Sequence, residues 1–301
     1  MEYIVGETAG FCYGVKNAVE KSEEALEHEA PICCLGEIVH NKSVVENLKN
    51  KGIIFIDDLN QNVDRKKTII RAHGISKNVY EYADKNNIDL IDLTCPKVLK
   101  IHKIVSEYNE KGYYIFLIGS KKHPEIIGTA SFAGDNVCII ENYDDIDISL
   151  KNFKKSNKSK LAVVVQTTFS LQKFTDFTEI IKNKFENLEN LEIINTICKA
   201  TRIRQEETEK LSKEVDCMII IGGKNSSNTK KLYEISKKNC SNSMCIESAN
   251  EIDMDTLKKG KIVGIMAGAS TPQCNINEVI ELVKNTWNFL HKTIDYKKYY
   301  V

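Results

Sequence analysis

Three of the ten cysteines in this 301-residue chain, Cys12, Cys95 and Cys198, keep a fixed distance to a polar loop. Twenty-eight residues on stand His40, His123 and Ser226, respectively. Seventy-two residues after Cys95 and Cys198 come Thr167 and Ser270, whereas Cys12 reaches His73 after 61. Convergent thiolates hold a metal ion or an iron–sulfur cluster. Imidazoles, hydroxyls and helix-start N–H groups around them would hold an anionic substrate. The other thiols suggest less: Cys33, Cys34, Cys138, Cys217 and Cys245 fall in apolar strands, where a small buried hydrophobe suffices. Cys240 and Cys274 have no partner at metal spacing, and no C-x-x-C exists to support a zinc ribbon or a thioredoxin-type site.

Histidines divide in the same way. His28, His102 and His291 lie on helices among charged neighbours and read as surface residues, whereas His40, His73 and His123 end strands. The third stretch replaces histidine with Gly222-Gly223-Lys224-Asn225-Ser226-Ser227-Asn228 and Ala267-Gly268-Ala269-Ser270. Such loops suit phosphate oxygens, and Gln166-Thr167-Thr168 completes the ring of polar loops. No Walker-type or dinucleotide glycine motif is present, so a nucleotide cofactor is not expected.

Positioning these residues requires parallel α/β units. Twelve apolar runs are expected as strands, at 2–6, 32–39, 52–57, 68–72, 88–94, 113–119, 137–141, 161–166, 191–197, 216–222, 243–247 and 261–267. Amphipathic helices fit at 14–28, 41–51, 76–86, 97–111, 171–186, 199–214, 226–239 and 275–290. The gaps 57–68 and 141–161 show no strong helix, and 152–160 reads as a solvated loop. Cut at the cysteines, one order of elements recurs three times: 12–95, 96–198, and 199–284 completed by residues 1–11, with 285–301 as a tail. The expected fold is therefore α/β, with three pseudo-threefold-related units arranged as a trefoil. Each unit would carry a small, mostly parallel sheet. The N-terminal strand would supply the third sheet's missing member.

Lysine plus arginine and aspartate plus glutamate balance at 42 each. No net field favours nucleic acid or an anionic membrane. No apolar run approaches the ~18 residues of a membrane helix, and no leader pattern precedes the first strand. Sparse cysteines without an export signal suggest a reducing, cytoplasmic setting, or a plastid-type stroma for a processed form.

The ordered motifs Gly10-Phe11-Cys12-Tyr13-Gly14, His40-Asn41, Arg71-Ala72-His73-Gly74, Thr94-Cys95-Pro96, His123-Pro124-Glu125, Gln166-Thr167-Thr168, Thr196-Ile197-Cys198, Asn225-Ser226-Ser227-Asn228 and Ala267-Gly268-Ala269-Ser270-Thr271-Pro272 resemble the LytB family of 4-hydroxy-3-methylbut-2-enyl diphosphate reductases. The resemblance implies a [4Fe–4S] cluster on Cys12, Cys95 and Cys198 with one open iron, whose loss gives a [3Fe–4S] form. It implies reductive removal of an allylic hydroxyl to give isopentenyl and dimethylallyl diphosphates. Glu125 would be the proton donor and Thr167 its relay. The diphosphate would rest on His40, His73, His123, Ser226, Ser227, Asn228 and Ser270, with Thr167 beside the hydroxyl. A transient ferredoxin or flavodoxin would supply electrons to a monomer that binds no nucleic acid or membrane. Gln273-Cys274-Asn275 departs from the family pattern and leaves the packing of the last helix open. A zinc hydrolase is the rival enzyme, and a redox-sensing thiol protein the rival non-enzyme. The first lacks short ligand spacing, and the second leaves the polar loops unexplained.

Overall fold

The computed structural model describes residues 2–62 and 67–297, and side chains as far as residue 286. In chain order the path begins β1 (Glu2–Val5), α1 (Tyr13–His28), β2 (Ile32–Leu35), α2 (Lys42–Asn50), β3 (Ile53–Ile56), β4 (Thr68–Ile70), α3 (Lys77–Lys85) and β5 (Leu90–Asp92). It continues α4 (Pro96–Glu110), β6 (Tyr114–Ile118), α5 (Pro124–Ala130), β7 (Val137–Ile140), α6 (Tyr143–Lys155), β8 (Leu161–Val165), α7 (Leu171–Lys184) and β9 (Leu191–Ile194). The last part is α8 (Lys199–Glu214), β10 (Cys217–Ile221), α9 (Ser227–Asn239), β11 (Ser243–Ile246), α10 (Met254–Leu257), β12 (Ile262–Ala267) and α11 (Gln273–Lys297). All twelve expected strands are present.

They form three four-stranded sheets, ordered β3-β2-β4-β5, β7-β6-β8-β9 and β11-β10-β12-β1. Every pairing is parallel. The order is the same each time, and β1 fills the fourth place of the last sheet by pairing Glu2–Val5 with Ile262–Ile265. Two compact units emerge from the contacts. One comprises Met1–Cys12, His40–Lys42 and Ala200–Val301, with the last sheet; the other comprises Tyr13–Val39 and Ser43–Lys199, with the first two sheets.

The central strands are apolar on both faces because helices cover both faces. In β6, Tyr114, Phe116 and Ile118 enter one core and Ile115 and Leu117 the other. In the last sheet, Ile219 and Ile221 face one core while Met218 and Ile220 face the opposite one.

Helix α6 corrects the expectation that 141–161 lacks a strong helix and that 152–160 is all loop. Asp145 Oδ2 accepts from the N–H groups of Glu141 and Asn142, both at 2.9 Å, and thereby fixes the helix start. Ile146, Leu150 and Phe153 then bury one stripe in the same core as Phe116. The polar residues between them are the solvated face of an amphipathic helix. Among the described residues, the gap after β3 holds a single 3₁₀ turn, Leu59–Gln61.

Helix α11 starts at Gln273 despite the unfamiliar residues there. Asn275 Nδ2 donates to Glu247 O at 3.3 Å, and Ile276, Val279 and Val283 enter the core. The stretch expected as a tail continues this helix to Lys297, and 298–301 lie outside the described residues.

Candidate active site

In open parallel sheets, ligands bind outside the carboxyl ends of the strands where the strand order reverses. Each sheet here reverses between its two inner strands, and the polar loops follow those strands. His40, His123 and Ser226 each lie five residues past a strand end, at Leu35, Ile118 and Ile221. His73, Thr167 and Ser270 follow the other inner strands, β4, β8 and β12. The fourth strand of each sheet leads to a cysteine that immediately precedes a helix: Cys95 before α4, Cys198 before α8 and Cys12 before α1.

A backbone bond repeats with this plan. Cys95 N donates to Ala72 O at 3.0 Å, Cys198 N to Thr167 O at 3.0 Å, and Cys12 N to Ala269 O at 3.1 Å. Each acceptor lies two residues past its strand. The true equivalents are therefore Ala72, Thr167 and Ala269, followed by His73, Thr168 and Ser270. The 72-residue interval that pairs Thr167 with Ser270 is one residue out of structural register.

In the larger unit, Glu125 is 2 % exposed in the first turn of α5. Thr167 holds both of its oxygens. The Thr167 N–H donates to Oε1 and its hydroxyl to Oε2, each at 2.6 Å. Burial pushes the Glu125 carboxyl up to about 7, although both Thr167 bonds pull it down. The cause is desolvation by the protein itself. His123 caps the same helix: its Nδ1 accepts from Glu125 N at 3.2 Å. A neutral ring that accepts at Nδ1 carries its proton on Nε2, so His123 offers a donor there. The ring of His73 lies edge-on to it at 5.4 Å.

Sequence reasoning placed His102 on the surface, but it is buried, stacked on Phe132 at 4.5 Å. Burial lowers its pKa to about 4, so the ring is neutral. It backs the turn after His73, where a Cβ on Gly74 would lie 2.9 Å from His102 Cε1. The i, i+4 spacing from the buried Val98 was the available signal.

The smaller unit brings together the third set. Ser226 caps α9 by accepting from Thr229 N at 3.3 Å, so its hydroxyl keeps a proton to donate. Ser270 Oγ donates to His40 O at 3.1 Å. A Cβ on Gly223 would meet that carbonyl at 2.3 Å, so only glycine permits the approach. Asn228 is 2 % exposed, and neither end of its amide has a protein partner. Lys224 and Lys42 are tied to Glu251 at 2.7 Å and Glu247 at 2.9 Å.

A family model described as LytB protein matches residues 4–284. The chain belongs to the LytB family. A 4-hydroxy-3-methylbut-2-enyl diphosphate reductase of Caldanaerobacter subterraneus is 43 % identical over 95 % of this LytB chain and 97 % of the relative. One of Aquifex aeolicus is 40 % identical, covering 93 % and 94 %. Among solved structures, the E-1-hydroxy-2-methyl-but-2-enyl-4-diphosphate reductase of Plasmodium falciparum superposes with TM-score 0.86 at 35 % identity, over 93 % of this chain and 87 % of that one.

The donor chemistry of this LytB chain fits an iron–sulfur cluster. Cys12, Cys95 and Cys198 are partly exposed thiols, outside any disulfide, that directly precede helices. Space at Cys95 is reserved by a missing side chain, because a Cβ on Gly14 would lie 2.5 Å from its Sγ. Of the other thiols, Cys33, Cys34, Cys217 and Cys240 are buried, Cys138 and Cys245 are half-buried and Cys274 is exposed; burial pushes Cys34 and Cys217 up to about 12. Among the described residues, no helix is long and apolar enough to cross a membrane.

Proposed function

We propose that this LytB protein reduces (E)-4-hydroxy-3-methylbut-2-enyl diphosphate to isopentenyl and dimethylallyl diphosphates, with Cys12, Cys95 and Cys198 holding a [4Fe–4S] cluster. Three thiolates on four irons would leave one iron open, and the bound cluster would relay two electrons, one at a time, from an external donor and offer a coordination site for the substrate hydroxyl. The observation that carries the reading is Glu125, a buried acid with a pKa near neutrality beside a hydroxyl.

Breaking the allylic C–O bond requires a proton so that oxygen leaves as water. At neutral pH Glu125 is present in both protonation states, which suits a general acid. Protonated, its O–H donates to Thr167 Oγ1, and the Thr167 hydroxyl is then free to donate to the departing oxygen. After transfer, the carboxylate is received by the two Thr167 donors. The second proton goes to the carbon skeleton.

The diphosphate is assigned to His40, His73, His123, Ser226, Ser227, Asn228 and Ser270. His123 contributes its Nε2 proton, and Asn228 an amide buried without protein partners. With Lys224 and Lys42 already paired, the anion rests on imidazoles, hydroxyls and helix-start N–H groups. The segments 12–95, 96–198 and 199–284 plus 1–11 are read as three repeats of one α/β plan. Electrons would come from a ferredoxin or flavodoxin to a cytoplasmic monomer.

Anaerobic reconstitution with iron and sulfide tests the cluster, and a protein that stays colourless refutes it. Glu125→Gln should keep the parent's absorption spectrum and lose turnover at least about a hundredfold. Normal turnover in that variant removes Glu125 from the mechanism.

A further inference from the structure

Six residues separate the end of β1 from Cys12, against two before Cys95 and three before Cys198. The longest approach is the one least fixed by its own strand, and α8 holds it from both polarities. Arg204, 3 % exposed, donates from Nε and Nη2 to Thr8 O at 2.9 and 2.6 Å and from Nη2 to Gly10 O at 2.9 Å. Glu207, three residues further along α8 and so a neighbour on the same face, takes the amides. Its Oε1 accepts from Glu7 N at 2.5 Å, and its Oε2 accepts from Thr8 N at 3.1 Å and from the Thr8 hydroxyl. The turn is closed by Ala9 N donating to Gly6 O at 3.1 Å.

Burying a guanidinium is costly unless its donors are paired, and the bonds from Nε and Nη2 are charge-assisted ones of the strong kind. They are directed to the carbonyls of Thr8 and Gly10, on the approach to Cys12. We propose that Arg204 and Glu207 are positioning residues that hold the 6–10 loop so that Cys12 stands in place as a cluster ligand. The proposal rests on the reading of Cys12 as a ligand. Neither side chain touches substrate or sulfur; both act through backbone.

The test uses full-length reconstituted protein and Arg204→Gln, Glu207→Gln and Arg204→Lys variants. Amide exchange of Glu7 and Thr8 should accelerate about tenfold in Glu207→Gln. Under EDTA challenge with iodoacetamide present, Cys12 should be alkylated about tenfold faster in Arg204→Gln, while Cys95 and Cys198 stay within about twofold. Arg204→Lys keeps a charged donor for one carbonyl and should recover part of the protection. Equal acceleration at all three cysteines, or none at Cys12, would overturn the clamp. If Cys12→Ser loses the parent's iron content while Arg204→Gln leaves Cys12 labelling unchanged, the clamp alone fails. If Cys12→Ser keeps that content, the ligand reading fails as well.

Discussion

Thr167→Val removes one of the two bonds that stabilise the ionised form of Glu125. The lost bond is the hydroxyl donation to Oε2 at 2.6 Å; the backbone donation to Oε1 at 2.6 Å remains. A hydrogen bond to a charged group is worth about 1.5–3 kcal/mol. One pH unit corresponds to about 1.4 kcal/mol, so its loss would raise the Glu125 midpoint by about one to two pH units. The protonated acid also loses a partner, because its O–H donates to Thr167 Oγ1. The net rise should therefore be near the lower figure, above a starting point of about 7. Infrared difference spectroscopy across the neutral range reads this directly. The protonated carboxyl stretch that vanishes in Glu125→Gln is the Glu125 band, and its disappearance is followed with pH. A Thr167→Val midpoint at or below the parent's would refute the assignment of Thr167 as the group that stabilises the carboxylate.

The two buried titrations should tilt stability in opposite directions. Glu125 releases its proton near 4.5 when unfolded and about 7 when folded, so it costs stability as pH rises through that window, by about 3 kcal/mol. His102 charges near 6.5 unfolded and about 4 folded, so stability is lost as pH falls between them, by a similar ~3 kcal/mol. Across pH 4 to 7, relative to the parent, Glu125→Gln should gain melting temperature as pH rises and His102→Phe should gain it as pH falls, and a variant whose difference from the parent does not change with pH over that range refutes the corresponding burial effect. Gly14→Ala should lower iron content while leaving circular dichroism intact, because its Cβ lies 2.5 Å from Cys95 Sγ. Full iron content in that variant would show that the sulfur yields. Asn228→Leu should raise the melting temperature of the ligand-free protein, since a buried unpaired amide costs about 1–3 kcal/mol, and weaken diphosphate binding. A lower melting temperature in that variant would oppose the reasoning.

The strands were legible because parallel strands covered on both faces are continuous apolar runs, such as Leu161–Val165. Equal spacing from the cysteines located the first loops for the same reason that they lie five residues past their strands. The second loops slipped by one residue because spacing counts the intervening helices and turns, whose lengths differ. His102 and α6 were misread from composition: charged neighbours in sequence occupy the other helix faces and say little about the buried one. Burial is what raises the Glu125 pKa. Its desolvation depends on tertiary packing, which no local pattern reports. Arg204 and Glu207 carried no sequence signal, since their partners lie almost two hundred residues away.

The strand that completes the last sheet also sets a schedule for synthesis. β1 leaves the ribosome about 260 residues ahead of β12, the strand it pairs with. At ~5–20 residues per second, that is roughly 13 to 50 seconds without its neighbour. The other two sheets draw their strands from continuous stretches of chain and close as they emerge. Cys12 waits longer, because the carbonyl of Ala269 that fixes it is made near the end. A nascent chain stalled before β12 would present two of the three thiol positions formed and the third still tethered to an unpaired strand.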